Sequence, residues 1–171
     1  MLFGNAAKFA IIAEIEDLAE NGYPNGRLSL FVESKKFGDW EVIESIGTMV
    51  AGVKDILDGA NIVPPSIFDL PKEEIVRLLR NSCFDESDED PKKNYFNTVP
   101  HAGLFLILTG LCAAFDREFL VLIENEARGR FIWLNEKKSV EEALINKQDY
   151  INPVREFCEW WAKNSPVDMM Y

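Results

Sequence analysis

Two pairs of strand-like segments, each joined by turn-forming residues, constrain the fold of this chain more than any other feature. FAIIAEIED (9–17) and RLSLFVE (27–33) are rich in branched and aromatic residues, and NGYPNG between them favours a chain reversal. FLVLI (119–123) and RFIWL (130–134) are joined in the same way by the glycine-containing ENEARG. We therefore predict an N-terminal and a C-terminal antiparallel hairpin. The apolar run at 104–113 is predicted to pair with the second hairpin as a more buried strand.

Two internal stretches of the chain have helical character. Apolar residues recur at three- and four-residue steps from Ile43 to Leu57, which indicates an amphipathic helix. In FDLPKEEIVRLLRN (68–81), Pro71 and the two acids that follow favour the start of a second helix, because acidic residues stabilise the positive end of a helix dipole.

The last third of the chain carries two further helix-start signals. Ser139 and Glu142 have the spacing of a capping box, which predicts a short helix at EEALI. Asn152-Pro153 predicts the start of a C-terminal helix, one face of which collects Val154, Phe157, Cys158 and Trp161. Because strands and helices come in clusters without a regular β-α-β alternation, we predict a single α+β domain over residues 1–171. Its antiparallel sheet is built from the N-terminal and C-terminal hairpins, with helices packed mainly on one face and a C-terminal helix.

The charge balance restricts the class of partner. The chain holds 29 acidic against 18 basic residues, a net charge of -11. Nucleic acid and anionic membranes are therefore not expected as partners, because binding to either requires Lys and Arg to neutralise phosphate. A basic protein is the natural complement. The uncharged run AGLFLILTGLCAAF (102–115) is shorter than the roughly 20 residues of a bilayer span, and the three cysteines are widely spaced, so we expect a cytoplasmic protein with reduced thiols.

The most concentrated acidic segment is DESDED (85–90), for which three interpretations can be compared. A calcium loop that starts at Asp85 would need glycine at its sixth position and glutamate at its twelfth, where this chain has Asp90 and Phe96. The calcium interpretation therefore fails, which leaves a solvated loop or a docking surface for a basic partner. The candidate contact residues in the second case are the five acids Asp85, Glu86, Asp88, Glu89 and Asp90.

No motif in the sequence assembles a catalytic or cofactor site. His101 is the single histidine, and no serine stands in a G-x-S-x-G elbow. The glycine spacing matches neither common phosphate-binding loop. We predict no catalytic residue, no cofactor and no metal site. Two alternatives stay open: a small enzyme or ligand-binding domain whose site is assembled from distant residues including His101, and a homodimer.

Three segments carry a family resemblance. LFGNAAKFAIIAEIE (2–16), IFDLPKEEIVRLL (67–79) before the acidic segment, and the REFLVLIE to GRFIWL hairpin (117–134) occur in that order. Together they resemble the Immunity protein 42 family of bacterial polymorphic toxin systems. The resemblance implies a cytoplasmic antidote that is encoded beside a secreted or contact-delivered toxin and binds its toxin domain. It implies no catalytic residues and indicates no particular interface.

The resemblance and the charge together predict a stoichiometric inhibitor. A nuclease-type toxin has a basic surface for phosphate, and an acidic antidote could cover that surface and be attracted to it electrostatically. The expected partner is therefore a cognate toxin domain, and a basic nuclease-type toxin is the variant that the acidity suits best.

Overall fold

The computed structural model describes residues 1–20, 23–84, 94–99 and 105–165. Within these ranges the strands are β1 (Leu2–Asn5), β2 (Phe9–Leu18), β3 (Pro24–Val32), β4 (Lys35–Phe37), β5 (Glu44–Ser45), β6 (Leu120–Glu124), β7 (Arg128–Leu134) and β8 (Val140–Asn146). The helices are α1 (Ile46–Leu57), α2 (Pro65–Phe68), α3 (Lys72–Phe84) and α4 (Lys147–Asn164).

The strands form two antiparallel sheets. The first has the order β1-β2-β3-β4, with β5 also paired to β3, and the second has the order β6-β7-β8. The two predicted hairpins are confirmed as β2–β3 and β6–β7, and the predicted helices at 43–57 and 68–81 are confirmed as α1 and α3. The α+β class is also confirmed, and the structure places the two hairpins in different sheets.

Two hydrophobic cores lie on opposite sides of the three-stranded sheet. Strand β6 alternates between them: Leu120 and Leu122 belong to the first core, and Val121 and Ile123 to the second. The first core also contains the inner face of the five-stranded sheet with α1 and α4, whereas the second contains α2 and α3. This explains why β6 is an uninterrupted apolar run, because each of its faces is buried against a different layer.

The segment at 104–113 was predicted as a strand, and for its described residues this is wrong. Residues 105–108 are buried, but Leu106 and Val121 form only an isolated antiparallel bridge. Leu108 and Gly110 both have positive φ angles, 59° and 74°. Such residues turn the chain away from an extended path, so the segment packs against β6 as an irregular buried stretch.

The capping box at Ser139 and Glu142 does not start a helix, so that prediction is wrong. Residues 140–146 form β8, which pairs with β7 over its whole length. The Glu142 carboxylate accepts a hydrogen bond from Arg130 Nε at 2.6 Å across the strands, so it is not available to cap a backbone N–H. Cross-strand pairing has overridden a local helix signal here.

The C-terminal helix is confirmed, but its predicted start at Asn152-Pro153 is wrong. Helix α4 begins at Lys147, so Pro153 lies inside it and is buried. The Pro153 ring lies against Gly4 of β1, where a Cβ atom would come within 2.5 Å of Pro153 Cγ. The predicted inner face is confirmed: Val154, Phe157 and Trp161 are buried, and Cys158 is half-buried and packs against the same core.

Candidate functional site

The acidic segment singled out in the sequence follows directly after α3. Its five candidate contact residues, Asp85, Glu86, Asp88, Glu89 and Asp90, lie outside the described residues, and so does His101. The last described residue before the segment is Phe84, whose side chain is 51% exposed. The cleft, the buried groups and the surfaces described below are therefore formed by other residues.

A cleft of about 600 Å³ lies beside the C-terminal end of α3. Its charged lining is mixed, with three basic side chains (Arg80, Arg117 and Lys138) and three acidic ones (Asp116, Glu118 and Glu136). Thr109 also lines this cleft, and its hydroxyl group donates a hydrogen bond to the backbone oxygen of Glu118 at 2.9 Å. The Thr109 hydroxyl is therefore engaged with the backbone, and the described lining contains no histidine or cysteine.

A second feature that would ordinarily suggest an active site is a buried carboxyl group with a raised pKa. Burial raises the pKa of Glu124, and its Oε1 accepts a hydrogen bond from the Tyr150 hydroxyl. Lys147 Nζ lies 3.9 Å from the same oxygen. Both Glu124 and Tyr150 are completely buried, so a substrate could not reach them, and the pair is structural.

The thiols are held in their unreactive form. Burial raises the pKa of Cys112 to about 12 and that of Cys158 to about 11, and it also raises the pKa of Cys83. A thiol reacts as its thiolate, so a raised pKa lowers reactivity at neutral pH. None of the three cysteines forms a disulfide.

Two kinds of feature are absent from the part of the chain that the structure describes. Over those residues, no cluster of three or more His, Cys, Asp or Glu side chains has the geometry to hold a metal ion. Among the described helices, none combines the length and the apolar character needed to cross a membrane.

The turn end of the β2–β3 hairpin carries a group of acidic side chains. Glu14, Glu16, Asp17 and Glu20 are all exposed there. Arg27 is the one basic residue between positions 9 and 34, and its charge is shared by Glu16 at 2.8 Å and Glu41 at 3.8 Å. This end of the sheet is therefore net negative. The spacing of the acids alone did not reveal it, because acidic pairs such as Glu14 and Glu16 commonly form solvated faces.

The comparisons with known proteins agree with the fold and the resemblance. The family model of Immunity protein 42 matches residues 1–160. The chain belongs to the Immunity protein 42 family. No curated protein gives a significant match.

A solved structure shares the fold of this immunity protein. It is the crystal structure of CdiI from Burkholderia dolosa AUO158, with a TM-score of 0.58 and 20% sequence identity. The similarity covers 94% of this chain and 99% of that chain, so the same arrangement extends over nearly all of both proteins. The predicted membership of this family is confirmed, and with it the role of an immunity protein that neutralises a bacterial toxin.

Proposed function

We propose that this immunity protein protects its cell by binding a cognate toxin domain one to one and covering the toxin's active surface, without catalysing a reaction itself. The observation that carries the proposal is the family match over residues 1–160. It is supported by the cleft beside α3, where the Thr109 hydroxyl is engaged with a backbone oxygen, and by the complete burial of Glu124 and Tyr150. The place of action that suits three unpaired thiols is the cytoplasm.

The charge supports a basic toxin surface as the target, of the kind that nuclease-type toxins present to phosphate. With a net charge of -11, the protein attracts a cationic partner over distances of about 10 Å at moderate salt. The acids at 85, 86, 88, 89 and 90 contribute five of these charges within six residues. We assign them to this long-range attraction, which accelerates association more than it slows dissociation.

Co-expression tests the function directly. The C-terminal domain of the toxin-like protein encoded next to this gene should arrest growth when expressed alone, and growth should recover when this protein is expressed with it. The two purified proteins should form a complex with the mass of one copy of each. If the adjacent reading frame encodes no such domain, or if the domain and this protein form no complex, the proposed function is wrong.

Neutralising the acidic segment tests its part in that function. Replacing its five acids by Ser and Asn should reduce the association rate several-fold at low salt and leave the dissociation rate nearly unchanged. The control removes five exposed charges elsewhere by amide substitution, at Glu33, Asp69, Glu126, Glu156 and Glu159. If the two variants associate equally fast, the segment has no role beyond its share of the net charge.

A further inference from the structure

One face of the five-stranded sheet is turned away from the core. In the pairing of β1, β2 and β3, Leu2 lies opposite Ile12, which lies opposite Ser29. In the next row Ala10 lies opposite Phe31, which lies opposite Lys36 of β4. Because side chains alternate across a strand, these residues share the face opposite to core residues such as Phe9 and Ile11. We call the large apolar residues Leu2, Ile12, Phe31 and Trp40 on this side of the sheet the sheet face.

Trp40 belongs to this face through contacts with two residues of the same side. Arg27, which lies opposite Glu14 in the pairing of β2 and β3, donates a hydrogen bond from Nη1 to the Trp40 backbone oxygen at 3.3 Å. Lys36 Nζ lies over the Trp40 ring, 5.9 Å from its centre. The indole ring is half-buried, so part of it adds to the apolar surface.

Solvent reaches the large apolar side chains of the sheet face, although the small residues Ala10 and Ser29 between them are fully buried. Leu2 is 57% exposed, and Ile12 and Phe31 are partly exposed. Neither Ile12 nor Phe31 belongs to a core cluster or packs against one, whereas the opposite face of the same strands is buried with α1 and α4. Three large apolar side chains on adjacent strands of one face are more than the scattered exposed residues of an ordinary surface, and contiguous apolar patches mark interaction sites.

Charge identifies the kind of partner that would cover this face. Its apolar part continues directly into the acidic end of the hairpin, where Glu14, Glu16, Asp17 and Glu20 surround a single arginine. Two copies of this chain would each bring a net charge of -11 to the contact, and this like charge opposes their association. The partner that best complements this side of the sheet is therefore a basic protein surface.

We propose that the sheet face and the acidic hairpin end together form the surface that docks a basic face of the cognate toxin domain. This inference rests on the proposed function and deepens it by naming the contact surface. The apolar part holds the complex together by excluding water, and the acidic part orients the partner during association. The acidic segment after α3 then acts at longer range, through charge alone.

Two pairs of variants test the two parts separately. Leu2→Thr with Ile12→Thr keeps residues that favour strands, and should raise the Kd for the purified toxin domain at least about 10-fold, mainly through faster dissociation. Its control is Ile62→Thr with Leu144→Thr, which changes two side chains of similar size that are each 50% exposed elsewhere. Glu14→Gln with Glu20→Gln should slow association several-fold at low salt, and its control is Glu156→Gln with Glu159→Gln on α4.

The native protein provides a measurement that does not depend on how the variants fold. Lys36 lies on this side of the sheet and is exposed, and Lys163 is exposed near the end of α4. Acetylation with acetic anhydride, read by mass spectrometry, should slow at Lys36 and stay the same at Lys163 when the toxin domain is bound.

The outcomes separate this inference from the proposed function. If the native complex forms but Lys36 stays equally reactive and both test variants bind like their controls, the toxin docks elsewhere and only this inference fails. If the protein is a dimer in solution that Leu2→Thr with Ile12→Thr dissociates, a second copy covers the face and the inference is again wrong. If the native proteins form no complex at all, the proposed function and this inference fail together.

Discussion

Burial of the Glu124 carboxyl group destabilises the folded protein, and the other interactions of the fold offset this effect. Its side chain is completely buried, and burial raises its pKa although the hydrogen bond from Tyr150 and the charge of Lys147 both act in the opposite direction. The second carboxylate oxygen, Oε2, accepts no hydrogen bond from the described residues. A buried carboxylate oxygen without a hydrogen bond destabilises the folded state.

We predict that Glu124→Gln is more stable than the native protein at pH 7 by about 1–3 kcal/mol, because the neutral amide can still accept the hydrogen bond from Tyr150 and removes a charge whose burial is unfavourable. Because the pKa is raised in the folded state, the stability that protonated Glu124 contributes is present below its ordinary pKa of 4.5 and is lost as the pH rises through the raised value. The advantage of the variant should therefore shrink as the pH is lowered from 8 towards 5. Urea unfolding at several pH values measures it.

The matched control is Glu126→Gln, two residues further on and exposed. It should change the free energy of unfolding by less than about 0.5 kcal/mol at every pH. A Glu124→Gln variant that is less stable than the native protein at pH 7 would mean that the charged carboxylate stabilises the fold.

Gly4 is a second position at which a single added atom, the Cβ of another residue, is expected to change the stability of the protein. Its φ angle is 89°, and an added Cβ would lie 2.5 Å from Pro153 Cγ and 2.6 Å from the Phe9 backbone oxygen. We predict that Gly4→Ala lowers the free energy of unfolding by about 3 kcal/mol, because it adds steric crowding to backbone strain. Gly110→Ala is the control for strain alone, since its φ angle is 74° and none of the described residues lies within 4 Å of its added Cβ. Thermal unfolding of both variants separates the two effects, and equal losses would remove the role of crowding.

At the scale of elements, Arg130 joins the three-stranded sheet to the second core. From β7 its Nη1 donates to the backbone oxygens of Phe68 and Leu70, both at 2.6 Å, and its Nε donates to Glu142 on β8. The two carbonyl groups lie at the junction of α2 and α3, where helix geometry leaves them without partners in the helix. A guanidinium group suits this place because its donors point in several fixed directions.

We predict that Arg130→Met lowers the free energy of unfolding by about 3 kcal/mol, since it leaves Glu142 and two carbonyl groups without their donor. Arg130→Lys should recover less than half of this loss, because one ammonium group cannot reach all three acceptors. Arg128→Met changes an exposed arginine on the same strand and should be nearly neutral. Denaturant unfolding measures all three, and a neutral Arg130→Met would show that the helices dock through apolar contacts alone.

At the scale of the whole molecule, acidic charge surrounds a fold that buries most of its apolar residues in two cores. The net charge of -11 includes the exposed acids of the acidic hairpin end and the five acids of the sequence segment 85–90. Charge distributed in this way acts on a partner before contact and is screened by salt.

We predict that the association rate with the purified toxin domain falls at least about 10-fold between 50 and 500 mM NaCl, whereas the dissociation rate changes much less. Stopped-flow mixing at several salt concentrations measures both rates. An association rate that is independent of salt would mean that the charge of this protein does not guide docking, and would remove the electrostatic part of the proposed function.

Much of the local structure could be predicted because the signals are local. Turn residues at 21–26 and 124–129 and the apolar periodicity of 43–57 depend on neighbours in the chain, and the hairpins and α1 formed as expected. The capping box at Ser139 was also a local signal, but pairing with β7 decided that segment as β8. Pro153 was expected at a helix start, yet α4 accommodates it internally where its ring packs against Gly4.

The candidate docking surface could likewise be predicted from the sequence only in part. The acidic segment at 85–90 was recognisable because its charges are adjacent in the sequence. The sheet face was not recognisable, because Leu2, Ile12 and Phe31 come together only when β1, β2 and β3 pair in one particular register. A shift of that register by one residue would exchange the inner and outer faces.

The sequence by itself determined the α+β class, the two hairpins, the acidity and the family resemblance, since each depends on residue type or on short spacings. Only the tertiary structure decided that the hairpins lie in separate sheets, that Arg130 anchors α2 and α3, and that Glu124 is buried beside Tyr150. The physical reason is that burial and pairing are set by contacts between residues far apart in the chain. Arg130 is 62 residues from Phe68 and Tyr150 is 26 from Glu124, and no local pattern encodes such separations.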